Sequence, residues 1–202
     1  MARDIRMSRL CILITLAVLL TSCSPWRFTL QRDTGWPVEG KIYDAKEHVR
    51  VGGDDLVTIS SPASVALRCE QLTDGTFNSF VQLNGERMTM RFRSTPYNDT
   101  VRMTEDHVDL IIERGLVTVV TPNDTSRVAC PLPPDNESFN VRVVQFGRHM
   151  DIEVACTSIG RFTFSNATTQ WVSVLPGEGA TVVLQDPKFA PIRDEFPKEK
   201  DQ

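Results

Sequence analysis

The feature that most constrains the fold is a two-residue alternation of apolar and polar side chains. It is clearest in residues 87–93, where Met88, Met90 and Phe92 alternate with arginines and a threonine. Successive side chains of a β-strand point to opposite faces, so the pattern predicts a strand with its apolar set on one face and its arginines on the other. Such a strand must bury its apolar face against a second layer, which favours a sandwich or a barrel.

Similar patterns recur in about ten short segments, with turn signals roughly every 8–12 residues. The predicted strands are 63–70, 76–83, 87–93, 106–113, 116–120, 139–143, 152–156, 162–164, 171–175 and 180–185. The predicted turns include Arg114-Gly115, Phe146-Gly147-Arg148-His149 and Pro176-Gly177-Glu178-Gly179. Helical periodicity is almost absent. We therefore predict an all-β, antiparallel sandwich or barrel, with few or no helices apart from the N-terminal segment.

The first residues form an export signal. Arg3, Arg6 and Arg9 precede the uncharged stretch 10–20, and small residues come just before Cys23. This order of a basic opening, an apolar stretch and small residues is typical of a signal peptide. The apolar stretch is too short to span a bilayer as a helix, which needs about 20 apolar residues.

The tetrapeptide Leu20-Thr21-Ser22-Cys23 resembles the lipobox of bacterial lipoproteins. The resemblance implies cleavage before Cys23, a diacylglycerol on its sulfur and usually a third, amide-linked chain. Since one acyl chain gives only marginal binding, two or three would hold the domain at the membrane durably. We therefore expect a lipoprotein facing the periplasm or the cell surface, with Met7 as an alternative start. An ordinary secretory signal is the other interpretation.

The sequence predicts four successive segments, and the last one differs from the rest in composition. Residues 187–202 are rich in proline and in charges of both signs. We expect them to bury too little apolar area to become ordered alone. They are either a frayed terminus or a segment that becomes ordered on a partner. The predicted segments are a signal peptide (1–22), a lipid-anchored tether (23–40), a β-sandwich domain (41–186) and a C-terminal tail (187–202).

The charge balance argues against a nucleic-acid partner. The chain has 22 Lys and Arg against 26 Asp and Glu, a net charge of −4, and no basic stripe. Electrostatic binding to anionic lipid is not expected either.

The remaining cysteines are Cys69, Cys130 and Cys156, an odd number for an oxidising compartment. One disulfide with one buried thiol, or three buried thiols, would account for them. Metal binding would need closer ligand spacing and nearby histidines. The acidic loops 52–55 and 135–137 are candidates for a structural calcium, although both are more typical of plain turns. Apart from the lipid on the N-terminal cysteine, we expect no cofactor.

The order of elements is similar to the concanavalin A-like jelly roll over roughly residues 40–187. The similarity rests on the strand 87–93 ending in arginine, the loop 94–105 after it, a strand pair around the turn 146–149 and the closing strand 182–187. It implies two packed antiparallel sheets. An immunoglobulin-like sandwich or a lipocalin-like barrel are the alternatives.

The superfamily includes glucanases, lectins and non-catalytic modules, so the fold alone does not decide function. Its retaining glucanases carry two glutamates on one strand, because two carboxylates must flank the scissile bond about 5–5.5 Å apart. The glucanase motif spaces these two glutamates around an aspartate, so it has three acidic residues. The nearest approximation here is Asp151-Ile152-Glu153, which has two acidic residues and no third one after them. Asp109 and Glu113 do not have the spacing of the glucanase motif. Hydrolase and phosphate-loop motifs are also absent. We therefore expect a protein that is not an enzyme.

Our main hypothesis is an accessory subunit docked on an integral membrane protein complex. Its contacts would come from Trp26 and Trp36 in the tether and from Phe189 and Phe196 in the tail. Tryptophans suit the membrane interface, and aromatic residues are favoured at protein contacts.

The alternative is a carbohydrate-binding module, with a glycoside hydrolase as a less favoured variant. Carbohydrate sites usually present aromatic faces to sugar rings. Tyr97 and Trp171 would form that platform, and Arg91 or Arg93 would add hydrogen bonds.

Overall fold

The regular structure is almost entirely extended. A computed structural model describes residues 26–30, 37–69, 74–93, 95–97, 100–102, 107–164 and 171–192. Its strands are β1 (Trp26–Leu30), β2 (Val38–Tyr43), β3 (Val49–Val51), β4 (Leu56–Ser60), β5 (Ser64–Arg68), β6 (Gly75–Asn84), β7 (Arg87–Phe92), β8 (Thr95–Tyr97), β9 (Thr100–Arg102), β10 (Val108–Glu113), β11 (Gly115–Val120), β12 (Thr125–Cys130), β13 (Ser138–Phe146), β14 (His149–Val154), β15 (Thr157–Thr163), β16 (Trp171–Pro176) and β17 (Thr181–Ala190). One 3-10 turn, Lys46–His48, joins β2 to β3.

The strands form two large antiparallel sheets. Sheet A has eight strands in the order β1-β2-β5-β16-β7-β10-β11-β12, and sheet B has seven in the order β15-β14-β13-β6-β17-β4-β3. The small strands β8 and β9 pair with each other. The prediction of an all-β, antiparallel sandwich is confirmed.

The core lies between the inner faces of the two sheets. Met88 and Met90 of β7 are completely buried, as are Leu110 and Ile112 of the neighbouring β10. Sheet B contributes residues such as Val141 to the same cluster. The alternation in the sequence is therefore the alternation between core and outer face.

Tight turns fix the register of the hairpins. Gly147, with φ +54°, begins the two-residue turn between β13 and β14, and a positive φ at that position is what a type II′ turn requires. Ala155 and Cys156, with φ of +47° and +62°, form the next two-residue turn. Positive φ at both positions is typical of a type I′ turn.

The structure shifts both predicted domain boundaries outward. β1 lies inside the segment predicted as a tether, and it pairs with β2 from Trp26 opposite Ile42 to Leu30 opposite Val38. β17 continues to Ala190, inside the predicted tail. Both extensions pair backbone N–H and C=O groups that a free tether or tail would leave to solvent. Seven of the described strands, each of three to six residues, were not predicted from the sequence, namely β1, β2, β3, β4, β8, β9 and β12.

The structure contains no disulfide among Cys69, Cys130 and Cys156, and the alternative of three buried thiols holds for Cys69 and Cys130 only. Cys69, Cys130 and Cys156 are all free thiols, and Cys156 is exposed because the tight turn after Val154 carries it to the surface. The Cys130 thiol contacts the Val154 carbonyl oxygen at 3.4 Å, and burial raises the pKa of this thiol.

Neither a membrane-spanning helix nor a metal-binding cluster is present among the residues that the structure describes. Among them, no helix has the length and apolar character needed to cross a bilayer. The same residues bring together no group of three histidine, cysteine or acidic side chains that could hold a metal ion.

Candidate functional site

The outer face of sheet A carries two of the four residues predicted to bind carbohydrate. Arg91 on β7 lies opposite Ser173 of β16, and Trp171 lies two residues further along β16 on the same face. Arg91 donates two hydrogen bonds to Asp109, at 2.6 and 2.7 Å, and both side chains are only 12% exposed. This arginine is therefore held by a carboxylate instead of facing a ligand.

Trp171 is not an open platform, because only 5% of its surface is exposed. It forms a small cluster with Tyr43 and Ala66. The Lys41 ammonium and the Arg68 guanidinium each lie 4.8 Å from the centroid of its ring. Burial lowers the pKa of Lys41, and the nearby arginines lower it further. A sugar could reach the indole only by displacing these cations.

The other two predicted residues do not join that face. Arg93 follows β7 with φ +57° and is 1% exposed, with its guanidinium 4.2 Å from the centroid of the Phe164 ring. The change in backbone direction takes it out of the alternation that the sequence predicts. Tyr97 belongs to β8, and its side chain lies outside the described part of the structure. The predicted platform role of Trp171 and the predicted ligand hydrogen bonds of Arg93 were therefore wrong.

The residues predicted to contact a partner also separate. Trp26 is 58% exposed at the start of β1. Phe189 is 4% exposed and packs on Phe77 with ring centroids 5.2 Å apart, so its predicted role as a docking anchor was wrong. Cys23, Trp36 and Phe196 lie outside the described residues.

The outer face of sheet B carries an open groove instead. Its first compartment has a volume of about 350 Å³. The lining side chains come from β13 (Val144, Phe146), β14 (His149, Asp151) and β15 (Arg161, Thr163). We call this feature the β13–β15 groove.

Strand alternation and one bulge position these side chains. Val143 of β13 is buried, so Val144 and Phe146 point outward. The following tight turn sets Phe146 opposite His149. A β-bulge between β14 and β15 then shifts the register, which brings Arg161 directly opposite Asp151.

An ion pair lies in the middle of the groove. Arg161 donates to the two carboxylate oxygens of Asp151 at 2.6 and 2.7 Å. The hydrogen bond from Arg161 lowers the pKa of Asp151, and the same contact raises the pKa of Arg161. Beside the pair, Nδ1 of His149 and the hydroxyl of Thr163 lie 3.1 Å apart. The carboxylate, guanidinium, imidazole and hydroxyl groups can accept hydrogen bonds from a ligand above them and donate hydrogen bonds to it.

Phe146 forms the apolar end of the groove. It is 60% exposed, although a large aromatic side chain gains free energy when it leaves water. The signal for it was present in the sequence. Inward-facing Phe139, Val141 and Val143 place Phe146 on the outer face, but sequence analysis assigned it only to a turn.

The groove continues across the sheet. A second compartment of about 480 Å³ shares Val144, Asp151 and Arg161 with the first and adds Arg142. A third, of about 270 Å³, shares Arg142 and extends to β6 and β17. The first two compartments have the size of small-molecule sites, which occupy about 300–1,000 Å³, and the third is slightly smaller. The series of three compartments suits an extended ligand.

Two pairs of carboxylates lie along outer-face strands, Asp109 with Glu113 on β10 and Asp151 with Glu153 on β14, and the second pair is two residues apart, or about 7 Å at the rise of a β-strand. Asp151 is held ionised by Arg161, whereas a general acid needs a raised pKa. Asp109 and Glu113 are four residues apart on β10, or about 13 Å at the rise of a β-strand. Glycosidases need their two carboxylates within about 5–9.5 Å.

Comparisons with known proteins locate the fold. The sequence matches no protein-family model, and no curated protein is similar to it in sequence. A β-glucanase from Bacillus licheniformis superposes with a TM-score of 0.55 at 12% identity, over 83% of this chain and 98% of the glucanase chain.

Two alginate lyases are also similar in structure. One has a TM-score of 0.52 at 8% identity, over 71% of this chain and 78% of its own. The other has a TM-score of 0.50 at 8% identity, over 74% of this chain and 85% of its own. At such low identity the likeness concerns the fold alone. With the topology described above, it identifies the sandwich as a concanavalin A-like jelly roll.

Proposed function

We propose that this protein is a non-catalytic carbohydrate-binding module that holds a glycan in the β13–β15 groove. The observation that carries the proposal is the exposure of Phe146, 60%, at the end of a groove that contains the Asp151–Arg161 pair. An aromatic ring beside paired planar polar groups is complementary to a sugar, which has an apolar C–H face and a rim of hydroxyls.

Two further observations support this proposal. The three adjoining compartments cross five strands of sheet B, which fits a chain of sugars better than a single one. The names of the similar structures, β-glucanase and alginate lyase, refer to polysaccharides, and this supports the proposal at the level of the fold.

The test is a glycan array followed by calorimetry with Phe146→Ala. Loss of the ring should weaken binding at least about tenfold, or about 1.4 kcal/mol. Phe80→Ala is the matched control, because Phe80 is 49% exposed on the outer face of the same sheet but does not line the groove. Equal losses in both variants, or no glycan bound by the wild type, would refute the proposal.

We also propose that a lipid on Cys23 holds the module outside the cytoplasm on a bacterial membrane. The lipobox tetrapeptide Leu20-Thr21-Ser22-Cys23 supports this anchor. Cys23→Ser should move the protein from the membrane fraction to the soluble fraction. A protein that stays with the membrane after this change would be held by something other than the lipid.

An accessory subunit of a membrane protein complex is the second candidate function. The observation in its favour is Phe80, which is half exposed outside the groove without a described role there. Stoichiometric co-purification from detergent-solubilised membranes, lost in Phe80→Ser, would support it. Purification of the protein alone would argue against it.

A further inference from the structure

We propose that the anchored protein stands on the lipid surface by one edge of the sandwich, with Trp26 in the headgroup layer and the β13–β15 groove turned away from the membrane. The edge consists of β1, the 3-10 turn Lys46–His48 and β3, and we call it the anchored edge. This inference rests on the proposed lipid anchor, but not on the proposed glycan ligand.

The length of chain between anchor and fold carries the first step. Cys23 precedes Trp26 by only three residues, which reach about 10 Å when fully extended. The headgroup layer on each side of a bilayer is about 5–8 Å thick. The start of β1 therefore lies within or directly above the headgroups, whatever path the linking residues take.

The side chains at this edge suit such a position. Trp26 is 58% exposed, and the Lys46 ammonium lies over its ring. A tryptophan with a neighbouring lysine combines an apolar body with a charge that can reach the phosphates, and both residues are favoured at membrane interfaces. Val51 at the end of β3 adds a second apolar side chain, which is 42% exposed.

The charges at the edge are mixed, so anionic lipid is not required. Lys46 and Arg50 are exposed beside the equally exposed Asp44 and Glu47. The contact should therefore form on zwitterionic lipid as well as on anionic lipid. A protein partner would have to fit into the short distance between the anchor and β1, which favours lipid as the occupant.

The order of strands then sets the height of the groove. β3 and β15 are the opposite edges of sheet B, six strand intervals apart, or about 29 Å at the usual spacing. If β3 stands near the membrane, β14 and β15 lie on the far side of the domain. A glycan could then reach the groove without meeting the bilayer.

The test uses the acylated protein in phosphatidylcholine vesicles with brominated acyl chains, which quench nearby indoles. Trp36→Phe leaves Trp26 and the buried Trp171 as emitters, and Trp26→Phe/Trp36→Phe leaves Trp171 alone. The first variant should lose most of its Trp26 emission, and the second should show almost no quenching. Equal quenching in the two variants, or none in either, would overturn the proposal and would favour a protein partner for Trp26.

A second reporter tests the height of the groove. Phe146→Trp in the Trp26→Phe/Trp36→Phe background places an exposed indole in the groove, and this indole should remain unquenched. Quenching there would mean that sheet B lies on the membrane. Failure of the acylated protein to float with vesicles would refute the anchor itself, whereas an absence of glycan binding would leave these quenching results unchanged.

Discussion

Two arginine–aspartate pairs, one on each outer face, have the same local geometry and opposite surroundings. In each pair the arginine lies directly opposite the aspartate on the neighbouring strand and donates two hydrogen bonds, at 2.6 and 2.7 Å. Arg91 and Asp109 on sheet A are both 12% exposed, whereas Arg161 and Asp151 on sheet B are 64% and 37% exposed.

Burial, and not bond geometry, decides the role of such a pair. Two charges removed from water depend on each other, because either one left alone is a buried unpaired charge. Two charges in water lose little when they separate. The pair on sheet A is therefore part of the structure, while the pair on sheet B is available to a ligand.

The largest expected effect comes from removing one member of the buried pair. Asp109→Ala should lower the free energy of unfolding by about 3–5 kcal/mol, since it leaves the Arg91 charge buried without its partner. Asp151→Ala is the matched control and should cause a loss several times smaller. Urea denaturation measures both. Equal losses in the free energy of unfolding would show that the exposure of the two ion pairs does not decide how much each contributes to stability.

A smaller effect is expected when both members of the buried pair are replaced. Arg91→Leu/Asp109→Leu should recover most of the stability lost in Asp109→Ala, because apolar side chains need no charged partner. The free energy of unfolding from the same urea titrations checks this. A double variant as unstable as the single variant would mean that the pair also satisfies polar groups which leucine leaves unpaired.

Salt should distinguish the two pairs more subtly. In a double-mutant cycle, the coupling between Arg161 and Asp151 should shrink at about 1 M salt, where charges are screened beyond about 3 Å. The coupling between Arg91 and Asp109 should change much less, because solvent ions do not reach it. The same salt dependence in both cycles would contradict the comparison.

The smallest expected effect is the pH dependence of the stability that the exposed Asp151–Arg161 pair contributes. Arg161 lowers the pKa of Asp151 in the folded protein, so the unfolded chain binds the proton more tightly. The stabilisation is present above the unfolded pKa of about 3.9 and is lost as the pH falls through the lower, folded value. The stability difference between wild type and Asp151→Asn should therefore vanish in acid. A stability difference that grew as the pH fell would mean that the pKa of Asp151 is raised, not lowered, in the folded protein.

The sequence predicted the parts of the fold that depend on local alternation. Residues 87–92 and 108–113 became β7 and β10, with the expected apolar set buried. The strand β15 was harder to predict, because its bulge breaks the two-residue period between Ser158 and Arg161. Since a one-residue slip exchanges the two faces, no count along the chain could place Arg161 beside Asp151.

In the candidate site, too, some features follow from local alternation and others depend on contacts between distant strands. The alternation along β14 places Asp151 on the outer face, and the alternation along β13 does the same for Phe146, although the sequence prediction placed Phe146 only in a turn. The sequence could not determine that Trp171, also on an outer face, would be covered by Lys41 and Arg68. Those contacts join strands far apart in the chain.

The amino-acid sequence by itself determined an all-β chain, because the alternation of apolar and polar side chains depends on residues that are close together along it. Only the tertiary structure decided which outward-facing side chains are accessible, and therefore which sheet carries the groove. The physical reason is that exposure depends on neighbours from other strands. Asp109 and Asp151 each pair with an arginine in the same geometry, but their neighbours leave them differently exposed to water.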